Sequence, residues 1–166
     1  MKTLLLLRHA KSSWADPGQP DFERPLNERG RASAPVMGRF LAQRMLKPEV
    51  VVCSPAERAR ETAALALETA ELSPPVRYDA RIYEASATRL LEVVREIAEP
   101  AATAMLVGHN PGMEELITLL TGERERMQTA ALACILFDLA TWAAVSTEAG
   151  RLAWLVRPKE IANTPA

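Results

Sequence analysis

Unbroken apolar runs of about four residues recur along the chain, separated by longer stretches in which apolar positions return every three or four residues. Leu4-Leu5-Leu6-Leu7, Val50-Val51-Val52-Cys53 and Ala104-Met105-Leu106-Val107 contain no polar position. Runs this short without alternation predict strands covered on both faces. Between them, Ala34, Met37, Leu41 and Met45 keep helical spacing, and Asn27 is placed to cap a helix running to about residue 45. Pro35 lies inside that helix and removes one backbone bond, which predicts a kink. Ser54-Pro55 predicts the start of the next helix, reaching to about residue 69, with serine as the cap and proline in the first turn.

The same reading extends to the C-terminus. Val76-Arg77-Tyr78 predicts a short edge strand, and Leu90, Leu91, Val94 and Ile97 a helix over 87–97. A strand over 104–107 precedes a helix over 114–120. Residues 134–139 and 152–156 predict two strands joined by 141–150, able to pair antiparallel at an edge. Residues 10–25 are polar, with Pro17, Gly18, Pro20 and Pro25, and read as a loop of functional length. Strands alternating with helices predict an α/β fold, a three-layer α/β/α sandwich whose mostly parallel central sheet has helices on both faces. No repeat or linker interrupts it. A single domain over 1–157 with a flexible polar tail over 158–166 is the expected organisation.

Composition narrows the function classes. The chain has 166 residues and a net charge of -1, so no global basic character points to nucleic acid or an anionic membrane. The apolar start ends at Arg8, too early for a secretory signal, and the apolar stretch 130–145 is broken by Asp138 and too short to span a bilayer. Cys53 and Cys134 stand far apart without metal-ligand spacing and predict buried free thiols in a reducing cytoplasm.

The chain has two histidines. Arg8-His9 and Gly108-His109-Asn110 each follow a predicted strand. In a parallel sheet the C-terminal ends of strands converge on one crevice, so His9, Arg58 and His109 are expected to meet there. Arginine forks match phosphate oxygens, and histidine is suited to nucleophilic or acid–base work near neutrality. Together they predict an oxyanion site, most plausibly for a phosphoryl group, with a histidine nucleophile available. Singly, each residue also has an ordinary structural reading: a hydrogen-bonded histidine, or a solvated arginine.

Four segments carry a resemblance: Leu7-Arg8-His9; Arg24-Pro25-Leu26-Asn27-Glu28-Arg29-Gly30; Ser54-Pro55-Ala56-Glu57-Arg58-Ala59 with Thr62-Ala63; and Val107-Gly108-His109-Asn110-Pro111-Gly112. In order and spacing they resemble the histidine phosphatase superfamily, the phosphoglycerate-mutase-like group, and within it the short SixA-type phosphohistidine phosphatases. The resemblance implies that His9 is the nucleophile, passing through a phosphohistidine intermediate. It also implies that Arg8, Arg58 and His109 hold the phosphoryl oxygens, with Lys11, Ser12, Arg24 and Asn110 further candidates for substrate binding. It implies no metal and no cofactor, because the cationic side chains supply the charge.

The chain departs from the mutase pattern after His9, where Ala10, Lys11, Ser12, Ser13 and Trp14 follow. With the short length, this predicts a shallow, open site suited to a phosphorylated side chain on another protein. Glu84 is either a general acid or an exposed loop carboxylate. A small-molecule phosphomonoesterase and a non-catalytic phosphate-binding module are the alternative functions. A mononuclear zinc hydrolase is disfavoured, because no carboxylate or cysteine stands at ligand spacing from the histidines.

Overall fold

The structure, a computed structural model, describes residues 1–161. In chain order the elements are β1 (Lys2–Arg8), α1 (Glu28–Gln43), β2 (Val50–Cys53), α2 (Glu57–Ala70), β3 (Val76–Tyr78), α3 (Ala87–Arg95), β4 (Thr103–Gly108), α4 (Gly112–Thr121), β5 (Leu132–Phe137), β6 (Gly150–Val156) and α5 (Pro158–Ile161). They build one six-stranded sheet in the order β3-β2-β4-β1-β5-β6. The four N-terminal strands run parallel, and β5 is antiparallel to both β1 and β6. The expected α/β sandwich is therefore present, with its antiparallel strands at one edge.

The leucine run of β1 shows why its strand carries no polar position. Leu4 and Leu6 enter a core with Leu90, Val94, Met113 and Leu116 from α3 and α4, whereas Leu5 and Leu7 enter a second core with Met37, Leu41, Ala63 and Leu67 from α1 and α2. A strand with a helical layer on each face has no solvent side to alternate toward. Burial pushes the thiol of Cys53 up to about 12 and that of Cys134 to about 11, so both are inert core groups.

Several boundaries differ from expectation. α2 begins at Glu57, not at Ser54-Pro55, and its cap residue Ala56 makes no side-chain bond. Ser54 is held instead at the strand end, where its backbone N–H donates to Val107 O at 3.0 Å. Met45 lies beyond α1 with φ 55° and is 77% exposed. The turn after the helix lets Leu46 pack on the core in its place. Pro35, where a kink is expected, sits in the second turn, and the helix continues past it to Gln43. The segment expected to fray opens with α5, whose Ile161 packs on the core beside α1; the rest of that predicted tail, 162–166, lies outside the described residues. Among the described residues no helix is long and apolar enough to cross a membrane.

Candidate active site

β2, β4 and β1 lie side by side, and their C-terminal ends are level: Cys53 pairs with Val107 and Arg8 with Gly108. The residues just past those ends are therefore neighbours. The His9 N–H donates to Gly108 O at 3.0 Å, and the His9 and His109 rings are 5.1 Å apart. A cleft of about 200 Å³ opens here, lined by Arg8, His9, Arg58, His109 and Asn110 and by Lys11, Ser12 and Arg24. Trp14 and Thr129 complete the lining.

Hydrogen bonds engage each imidazole. His9 Nδ1 is 2.7 Å from Ala10 O. A carbonyl only accepts, so Nδ1 carries the hydrogen, and the lone pair of the neutral ring is on Nε2. His109 Nε2 lies 2.7 Å from Ser54 Oγ. Ser54 Oγ also accepts from the Ala56 N–H, so this hydroxyl ties His109 to the start of α2 and can either donate to Nε2 or accept from it. Burial, with Arg8 and Arg58 close by, depresses both imidazoles, His9 to about 3 and His109 to about 4. Both rings are neutral at pH 7.

The backbone around them is tied down. Thr62 Oγ1 accepts from the Ala10 N–H at 2.9 Å and donates to Arg58 O at 2.6 Å, joining the His9 loop to α2. A Cβ on Gly30 would stand 2.2 Å from Lys11 O, so the loop after His9 rests directly on the start of α1. Arg8 Nη1 and Asn110 Nδ2 both donate to Met127 O, and the Met127 N–H and Asn110 converge on Glu114. Asn110-Pro111 is cis.

Among the described residues, the buried side-chain polar atoms that lack a partner are Arg8 Nε, Arg58 Nε, His109 Nδ1 and Asn110 Oδ1. All four belong to residues lining this cleft. Unsatisfied buried groups are costly and uncommon in native folds, and the two arginine Nε atoms are donors. The arrangement can hold a multiply charged oxyanion against a neutral imidazole nitrogen. Among the described residues no cluster of three or more His, Cys, Asp or Glu is arranged to hold a metal ion.

Glu84 is not brought into the cleft. It is exposed, in a left-handed backbone conformation (φ 54°), and lines a separate groove with Arg81, Ser86 and Arg89. The preceding residue turns inward instead: the Tyr83 ring packs edge-on to His109 at 5.5 Å, and its hydroxyl donates to Asp21. Asp21, unremarked in the polar loop, takes Arg58 through its backbone O at 2.7 Å and its Oδ2 at 3.0 Å, and Arg24 Nε through Oδ1 at 3.1 Å. The Tyr83 hydroxyl and then Arg58 hold its carboxyl down at about 2, so it is an anion at working pH. The Arg24 guanidinium stacks 3.4 Å over Trp14. Nothing in the local sequence marked Asp21 or Tyr83, whose partners are 37 and 62 residues away. The serine of the second motif, read as a helix cap, proves to be the partner of His109.

Comparison with known proteins agrees with this geometry. Residues 4–107 match the model of the histidine phosphatase superfamily (branch 1). An uncharacterised Mycobacterium tuberculosis protein is 34% identical over 114 residues, covering 69% of each chain. A Mycobacterium leprae 2,3-bisphosphoglycerate-dependent phosphoglycerate mutase is 42% identical over 87 residues, covering 49% of this chain and 34% of the mutase. The crystal structure of a candidate phosphohistidine phosphatase SixA from Agrobacterium tumefaciens superposes with TM-score 0.82 at 30% identity, covering 95% of this chain and 98% of that one. At 20% identity, where fold alone is shared, the protein histidine phosphatase SixA complexed with tungstate gives TM-score 0.83. Motif order, sheet topology and both comparisons converge, and the chain belongs to the histidine phosphatase superfamily.

Proposed function

We propose that the protein is a metal-independent phosphatase that removes the phosphoryl group from phosphohistidine on another protein. The observation that carries this reading is the tautomer of His9: its hydrogen is engaged by Ala10 O, leaving Nε2 free to attack phosphorus. Arg8, Arg58 and His109 bind the equatorial oxygens and stabilise the charge in transfer. Attack breaks the bond between phosphorus and the substrate imidazole and forms one to His9 Nε2. Water then cleaves the His9 phosphoramidate, releasing phosphate and restoring the enzyme.

The surroundings of the cleft support imidazole as the leaving group. An alkoxide needs a proton in the transition state. Glu84 lies outside the cleft, and Asp21 is held ionised, so neither has a proton to give there. A phosphohistidine protonated on its other ring nitrogen releases neutral imidazole, whose conjugate acid has an ordinary pKa near 6.5, so its departure needs no proton from the enzyme. The small, surface-opening cleft suits a side chain presented by a protein. The relatives include phosphoglycerate mutases, and a glucosyl-3-phosphoglycerate phosphatase has the same fold. A small-molecule phosphomonoesterase is therefore the competing reading. Side-by-side turnover of phosphohistidine, an aryl phosphate and an alkyl phosphate separates them. Phosphohistidine is expected to be fastest, the alkyl ester slowest, and His9→Ala inactive on all three. Faster hydrolysis of the alkyl ester would overturn the protein-substrate reading.

A further inference from the structure

Next to the phosphoryl cleft, and sharing Lys11 and Thr129 with it, lies a second groove of about 340 Å³. Lys11, Arg29, Arg157 and Lys159 line it with Gln128, and among the described residues the lining has no carboxylate, with Glu160 beside it paired to Arg157. These cations come from the loop after β1, the first turn of α1, the residue that links β6 to α5 and α5 itself, so only the tertiary fold assembles them. Elsewhere on the surface, cations in grooves are mixed with acids. The groove holding Arg124 and Arg126 also has Glu114, Glu115 and Glu125, and the one holding Arg31, which Arg29 also lines, has Glu28. In a chain of net charge -1, a groove with four cations in its lining, beside the acid Glu160, is a predominantly positive local field, which attracts and orients anions.

We propose that this groove is a second anion subsite that takes the carboxylates of an acidic segment flanking the phosphorylated residue of a protein substrate. The subsite rests on the phosphoprotein reading above. Its four cations are exposed on long side chains, and Arg157 pairs with Glu160 at 3.0 Å. Such groups steer and register a flexible acidic partner better than they clamp one small phosphate, for which fixed bidentate donors are used. Trp14, 73% exposed at the rim of the adjoining cleft, is the residue type that anchors protein interfaces.

The test compares two phosphohistidine peptides, one flanked by glutamates and its twin flanked by glutamines. At low salt the wild type is expected to prefer the glutamate peptide by about tenfold in kcat/KM, mainly through KM, with the preference falling at high salt. Arg29→Glu with Arg157→Glu is expected to abolish the preference and leave turnover of free phosphohistidine unchanged. Equal kcat/KM for the twins in the wild type, or a preference that survives charge reversal, overturns the subsite. Binding of fluorescein-labelled hexaglutamate, read by anisotropy, needs no turnover. If neither peptide is hydrolysed, the phosphohistidine reading fails on its own, and the subsite stands only if hexaglutamate binds the wild type and not the variant. The Arg29→Ala with Arg157→Ala pair serves the same comparisons should the charge reversal fail to fold.

Discussion

His9 and His109 have different hydrogen-bond partners. A carbonyl leaves the first ring with its lone pair on Nε2, and a serine hydroxyl engages Nε2 of the second, whose Nδ1 is without a partner. Two residue-level predictions follow from the groups around them. Arg58→Ala is expected to lower kcat by about 10²–10³, the usual loss for one preorganised oxyanion donor; steady-state kinetics measure it. Asp21 sets its negative charge against Arg58 and Arg24, the groups an incoming phosphoryl needs. Asp21→Asn keeps the backbone contact to Arg58 but removes the repulsion, and vanadate is expected to bind tighter by roughly tenfold, as for one unit charge removed a few ångströms away. Unchanged or weaker vanadate inhibition would make Asp21 a scaffold for Arg58. Arg8, His9, Arg58, His109 and Asn110 were legible in the sequence because each stands in a short motif at a strand end or a helix start. Asp21 and Tyr83 were not, because their signal exists only once the polar loop folds over the strand ends.

Among the elements, strands were the easier to read. Unbroken apolar runs located β1, β2 and β4 to within a residue or two, since strands buried on both faces leave no polar position to confuse the pattern. Helix ends were harder. Ser54-Pro55 has the composition of a helix start, yet the hydrogen bond to His109 holds Ser54 at the strand end, and α2 opens at Glu57. Glu84, open in the sequence between a general acid and an exposed loop carboxylate, is exposed: after the 3₁₀ turn Ala80–Ile82, capped by Asp79, it is Tyr83 that meets His109. The junction between the His9 loop and α1 gives a prediction at this scale. Gly30→Ala drives a methyl group into Lys11 O. It is expected to cost about 1–3 kcal/mol of stability, as overpacking does, and to reduce kcat/KM by displacing the loop. Thermal unfolding and kinetics on the same variant check both parts.

For the whole molecule, the two depressed histidines make stability depend on pH. Unfolded, each titrates near 6.5; folded, near 3 for His9 and 4 for His109. Below 6.5 the unfolded chain therefore binds protons that the folded chain refuses, and stability falls as pH falls from about 6.5 toward 4. Urea unfolding across that range is expected to show this loss, and His109→Gln to reduce it. The catalytic account treats the cations of Arg8 and Arg58 as replacing a divalent ion, so activity is expected to survive exhaustive chelation; loss to chelator with rescue by one metal would contradict it. The proposed reaction turns on the covalent step at His9. Brief reaction with a radiolabelled phosphohistidine donor, an alkaline quench and peptide mapping test that step. Acid-labile label is expected on the peptide that contains His9 and none in His9→Ala. Label on Ser54 or Cys53, or full turnover by His9→Ala, would contradict it.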